Sequence, residues 1–260
     1  MAQRGGGGGR RPDFSQYFGG SNDTYTPPDF HGNPAYDGRF TFARISYRGF
    51  AHMSREGPGW SHDYPDADVH LMRIMRDITI MHPFVEFGQI QGGVIVALDN
   101  PLLLKYPVAY LSEPGGWFPN DAEIKGMHNY LLKGGFVIFD DFGGGNDWNN
   151  WTMQMQRALP GITPVELKGD EPIFDSFYKI DTKLIARQCT MNRQSCYRGA
   201  PVYIGYYENN DPKRRLLALG NFNADIGEFW QWSGTGFAPV DVSNEAYKLG
   251  INYLIYALTH

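Results

Sequence analysis

Between Asn120 and Gly145 the chain reads NDAEIKGMHNYLLKGGFVIFDDFGGG, and its apolar spacing changes character twice. Ile124, Met127, His128 and Leu131 fall at i, i+3, i+4 and i+7, the spacing of a helix with one apolar face. Asn120 and Glu123 stand in a capping-box arrangement at its start, and Gly134-Gly135 supplies the left-handed stop. Phe136 to Phe139 is wholly apolar, which predicts a strand buried on both faces. Asp140 and Asp141 stand at the end of that run. Three glycines follow, and Asp147 opens a second helical pattern whose Trp148, Trp151, Met155 and Leu159 share a face until Pro160-Gly161 stops it. This succession is that of an α/β sheet whose ligands gather at the carboxyl ends of its strands.

The rest of the chain extends that pattern. Phe40 to Tyr47 reads as the first strand, and a loop from Arg48 to Pro65 carries the cluster Trp60, His62, Asp63, Tyr64. Asp66 is placed to cap a helix in which Leu71, Ile74, Met75 and Ile78 keep helical spacing. Val94 to Leu98 and Val108 to Leu111 read as strands, with a Pro-led helical turn at Pro101 between them. Ile162 to Arg198 reads as mixed loop with short elements. Val202 to Tyr207 and Leu216 to Asn221 read as strands joined across Asn209-Asn210-Asp211-Pro212, and Asn244 to Leu258 as a closing helix. The prediction is one α/β domain over residues 39–260, a three-layer α/β/α sandwich with a mainly parallel central sheet. Residues 1–38, with five consecutive glycines and no periodicity, read as a disordered arm suited to ordering on a partner.

Composition narrows the function classes. A net charge of −5 with no basic stripe argues against nucleic acid, and no apolar run is long enough to span a bilayer. A start of AQR after Met1 resembles a mature end left by signal-peptide removal, which predicts a periplasmic or extracellular protein. Cys189 and Cys196 are spaced for a small disulfide in an oxidising compartment, or stand as two thiols, and their number excludes a Cys-rich zinc site.

The candidate chemistry lies in carboxylates. Asp63, Asp140 and Asp141 are the candidate catalytic residues if two of them act as acid and base. His62, Asp63 and Asp141 are the candidate ligands of a hard divalent cation. No cofactor is predicted beyond that metal. Trp60, His62, Asp225 and Trp230 are candidate binding residues, since indoles beside carboxylates suit a glycan or other small molecule. The loop after the first strand, the acidic pair and Asp225 should meet on one rim. Alternation along a strand should send Asp140 and Asp141 to opposite faces. The competing role for all of them is capping helices and bracing loops. Gly143 to Gly145 could cradle a phosphate on backbone amides, but the lysine and serine of a P-loop are missing and the acidic pair repels an anion.

Three stretches together resemble the uncharacterised bacterial family DUF4159: Trp60, Asp63, Pro65, Ala67 and Asp68 in WSHDYPDAD; Gly134, Gly135, Phe136, Asp140 and Asp141 in YLLKGGFVIFDDF; and RRLLALGNFNADIGEFWQW followed by GINYLIYALTH. The resemblance implies a fold related to class I glutamine amidotransferase-like and ThuA-like domains, and members that are often exported. It implies no reaction. Glu171, Pro172 and Ile173 stand where many relatives read HPI, and Ala224-Asp225 where they usually read Asn-Asp. An amidotransferase carries a cysteine nucleophile on a strand-to-helix turn. That turn here holds Asp140 and Asp141, so glutamine hydrolysis by that route is excluded. The expectation is therefore a non-catalytic binding or assembly module, working with protein partners or as a homo-oligomer through its arm and an acidic-aromatic rim. The alternative is a hydrolase or carbohydrate-processing enzyme using paired carboxylates or a metal.

Overall fold

The computed structural model describes residues 33–47, 58–87, 90–180 and 199–260. Cys189 and Cys196, and most of the glycine-rich arm, lie outside the described residues. Among the described residues seven strands form one sheet in the order β4-β1-β5-β6-β9-β8-β7. These are β1 (Ala43–Ser46), β4 (Val94–Ala97), β5 (Val108–Ser112), β6 (Phe136–Phe142), β7 (Val165–Glu166), β8 (Val202–Tyr207) and β9 (Leu216–Phe222). Two-residue strands β2 (Glu86–Phe87) and β3 (Ile90–Gln91) pair apart from it. The pairs from β4 through β1, β5 and β6 to β9 are parallel; β8 is antiparallel to β9 and β7 to β8. A mainly parallel sheet with β6 at its centre is what the buried run Phe136 to Phe139 requires.

Among the described residues five α-helices cover the two faces: α1 (Asp66–Ile78), α2 (Asp121–Leu132), α3 (Gly144–Ala158), α4 (Ile226–Gln231) and α5 (Val240–Thr259). Alternation along β6 separates two cores. Val137 and Phe139 pack with Met127, Leu131, Trp151 and Met155 of α2 and α3. Phe136 and Ile138 pack with Leu71, Met75, Phe229, Leu249 and Tyr253 of α1, α4 and α5. The result is a three-layer α/β/α sandwich. Among the described residues no helix is long and apolar enough to cross a membrane.

Local signals explain both ends of α2. Asn120 Oδ1 accepts from Ala122 N–H and Glu123 N–H, and Glu123 Oε2 accepts from Asn120 N–H, so the capping box that starts α2 is complete. Gly134 takes φ 111°, where a side chain would be strained. Two expected caps are displaced. Pro65, not Asp66, is the cap residue of α1, because Asp66 already lies in the helix. α3 begins at Gly144, and Asp147 sits inside its first turn, where its carboxylate accepts from Gly143 N–H at 3.1 Å. Asn33, inside the segment read as arm, fastens to β4, the end strand among the described residues, through both Ile95 N–H and Ile95 C=O (3.2 and 2.6 Å).

Candidate functional site: an acidic rim at the carboxyl ends of the strands

The rim is assembled from four chain segments that follow parallel strands. The first is the loop after β1, held down by Arg44. This buried guanidinium donates to Asp68 of α1 at 2.9 and 2.5 Å and to the carbonyls of Trp60 and His62 at 3.0 and 2.9 Å. It also lies 4.8 Å from the Tyr110 ring centre. A buried ion pair of this quality fixes the backbone at residues 60–62, so His62 and Asp63 are presented in one orientation.

β6 supplies the second segment. By alternation Asp140 belongs on the α1/α4/α5 face, and there its carboxylate accepts from Tyr110 Oη (2.7 Å), Asn221 Nδ2 (3.0 Å), Ile226 N–H (3.0 Å) and Gly227 N–H (2.9 Å). Asp141 breaks the alternation. Its φ is 58°, and the register with β9 shifts between Phe139 and Phe142. Such a bulge re-aims one side chain, and Asp141 Oδ2 meets His62 Nδ1 at 2.6 Å. The expectation that the adjacent carboxylates part to opposite faces is corrected by that bulge.

The third segment follows β9. Phe142 bridges to Ala224, and Asp141 N–H donates to Ala224 C=O at 3.1 Å, which docks the chain before α4 onto the bulge. Asp225 then caps α4, accepting from Glu228 N–H at 2.9 Å. Gly227 permits the close approach: a methyl group there would stand 2.5 Å from Asp63 Oδ2 and 2.8 Å from Tyr110 Oη. Glu113, after β5, is the fourth contributor, with Oε1 3.4 Å from His62 Nδ1.

Backbone strain concentrates here. Asp63, Glu113, Asp141 and Asn223 all have positive φ (62°, 50°, 58° and 59°). Each costs roughly 1–3 kcal/mol, a feature of positions where geometry rather than stability is selected. Electrostatics is equally unfavourable. Burial, then the charges of Asp141 and Glu228, push Asp63 well above the usual carboxylate range although His62 opposes them. Burial, then Asp141, Asp63 and Asp140, push Asp225 up likewise. Burial pushes Asp140 up to about 6, with the hydrogen bonds from Tyr110, Gly227 and Asn221 limiting the rise. For His62 burial acts downward, but the bond to Asp141 and the charges of Asp63, Asp141 and Glu113 outweigh it and raise it to about 10.

Asp63 stands apart from its neighbours. It is fully buried, and neither carboxylate oxygen has a hydrogen-bond partner among the described residues. A buried carboxylate without partners is among the costliest groups a fold can hold. Oxygen and nitrogen atoms of His62, Asp141 and Asp225 lie within 4.8 Å of one another, as do those of His62, Asp63 and Glu228. His62 and Glu113 form the solvent-facing side, at 21% and 23% side-chain exposure.

Of the residues singled out in the sequence, His62, Asp63, Asp140, Asp141 and Asp225 converge. The indoles do not. Trp60 is wholly buried against the α2/α3 core, and Trp230 is buried in the other with its N–H donating to Ala246 C=O at 3.0 Å. Both are packing residues, because the hydrophobic gain from burying an indole exceeds what a turn-side position suggests. The Gly143 and Gly144 amides are taken by Asp147 and Asn223, so they offer no phosphate cradle as they stand. Glu113, Glu228 and Arg44 escaped the sequence reading. Asp225-Ile-Gly-Glu228 is a capping pattern that marks α4, and Glu113 ends an apolar strand run as Asp140 does.

Fold and rim together define an α/β sandwich domain with an acidic centre at the switch from strands to loops. The chain belongs to the family described as domain of unknown function (DUF4159), which matches residues 41–258. No curated protein matches the chain.

Proposed function

We propose that the domain is a binding module whose ligand enters the acidic rim, with His62, Asp63, Asp141 and Asp225 as its recognition groups. The observation that carries this reading is Asp63: a buried carboxylate with no partner lowers stability, and the Asp141–Asp225 side of the same rim adds further charge to it. A scaffold role would give each carboxylate its donors, as Asp140 has. The same proposal takes the sandwich as related to amidotransferase-like domains, with Asp140 and Asp141 on the turn that carries their nucleophilic cysteine, a substitution that suits binding rather than acyl transfer. Export to the periplasm or beyond, a Cys189–Cys196 disulfide, and protein partners met through the glycine-rich arm belong to the same proposal. The aromatic half of the rim drops out of it, because Trp60 and Trp230 are in the cores.

Asp225→Asn tests the reading cleanly, since asparagine caps a helix as well as aspartate does and only the charge changes. A melting temperature equal to or above that of the wild type is expected. A fall of several degrees would return Asp225 to a bracing role. One observation favours a second reading, a hydrolase: the 2.6 Å His62–Asp141 pair sits beside solvent, as a proton-transfer pair must. Turnover of nitrophenyl glycosides or esters that is lost in His62→Gln would support it, and turnover equal in both proteins would remove it.

A further inference from the structure

We propose that the acidic rim is a divalent-cation centre, with His62, Asp63, Asp141, Asp225 and Glu228 supplying the protein ligands. This rests on the binding-cleft reading above and names its ligand.

The argument begins with atoms already in place. Asp141 and Asp225 offer oxygens near His62, and so do Asp63 and Glu228, each trio spanning no more than 4.8 Å. Six-coordinate ions with bonds of about 2.1 Å hold their ligand atoms about 3.0–4.2 Å apart. Closing either trio onto an ion therefore needs movements under about 1 Å. Acidic clustering alone would not justify a metal, because carboxylates gather on many surfaces. Asp63 is the independent sign: it is wholly buried, both oxygens lack partners among the described residues, and it points at this cluster.

The surrounding structure behaves like a support for ligands. Arg44 fixes the carbonyls on either side of Ser61 and gives Asp63 no hydrogen bond, because its two carboxylate contacts go to Asp68; its charge reaches Asp63 only at a distance. Asp140 anchors the first turn of α4 through Ile226 and Gly227 N–H, which sets the places of Asp225 and Glu228. Gly227 keeps the space beside Asp63 Oδ2 free of a side chain. Ligands positioned by such outer contacts hold metals far better than ligands left loose. Four carboxylates favour hard ions, while one imidazole tilts the choice toward first-row divalent ions over Ca²⁺ and Mg²⁺. The solvent-facing flank at His62 and Glu113 leaves coordination positions for water or for a bound molecule.

The test uses the whole chain after chelator treatment and gel filtration. Mn²⁺ titration followed by electron paramagnetic resonance should show loss of the free-ion signal, saturating at about one Mn²⁺ per chain. Excess Mn²⁺ should raise the melting temperature by about 5 °C or more, and Zn²⁺ should compete while Ca²⁺ competes weakly. Asp63→Asn and Glu228→Gln, each shown folded by circular dichroism, should weaken Mn²⁺ at least about tenfold. A free-ion signal that persists with wild-type protein in excess overturns the proposal, as does equal Mn²⁺ affinity in wild type and both variants. If Mn²⁺ fails to bind while Asp225→Asn keeps the melting temperature, the cation falls and the binding cleft stands. If Asp225→Asn lowers it, the cleft reading itself has failed.

Discussion

Two parts of the same rim bury carboxylates at the same depth and treat them oppositely. At the base, Asp68 is held by Arg44 and Asp140 receives four donors, so each charge lost from water is replaced by directed hydrogen bonds. At the mouth, Asp63 receives none among the described residues, and Asp225 receives a single helix-capping N–H while Asp141, Asp63 and Asp140 raise it. The fold evidently has the means to satisfy a buried carboxylate where architecture needs one. It does not do so at Asp63, and the proposed ligand site rests on that difference.

The largest expected effect breaks the base. Arg44→Met leaves Asp68 buried without its partner and releases the Trp60 and His62 carbonyls. Urea denaturation should show a loss of about 3–5 kcal/mol. A loss below about 1 kcal/mol would mean that the pair does not organise the loop. Asp140→Ala comes next. It strands two backbone N–H groups of α4, the Tyr110 hydroxyl and the Asn221 amide, and should cost about 2–3 kcal/mol by the same measurement. Substitutions at the mouth should cost nothing comparable, and a similar loss there would erase the comparison.

pH sharpens the contrast further. In the fold His62 keeps its proton to about 10 against an ordinary value of 6.5, and Asp140 keeps its proton to about 6 against 3.8. In both cases the native state binds protons that the unfolded chain has released, so stability falls as pH rises. The Asp140 contribution is complete below about pH 4 and gone above about 6; that of His62 is complete below about 6.5 and gone above about 10. Melting temperatures of cation-free protein should therefore decline from pH 7 to 9.5, and His62→Gln should flatten that decline. A stability that climbs over this range in the wild type would contradict the placement of His62 among the carboxylates.

Much of this architecture could be read from local sequence. The capping box at Asn120 and the buried run Phe136 to Phe139 are decided within a few residues, and topology alone brings the loop after β1 to the rim of β6. What escaped reading depends on distant partners. Nothing near Asp141 announces that it will take a left-handed backbone, because the bulge exists to meet the chain at Ala224 and Asp225. Trp60 and Trp230 look like surface indoles beside turns, and only the packing of α2, α3 and α5 shows them to be core. Helix α4 is six residues long, too short for apolar periodicity to register, so Glu228 was invisible except through its capping pattern.

The central claim is that Asp63 is kept bare at a cost to the fold, and one measurement addresses it directly. The melting temperature of cation-free Asp63→Asn should be compared with that of the wild type at pH 8. Removing a carboxyl group whose ionisation is opposed by burial and by the charges of Asp141 and Glu228 should raise it by about 2–6 °C, equivalent to about 1–2 kcal/mol. A fall of similar size would show that Asp63 braces the structure, and would contradict the account.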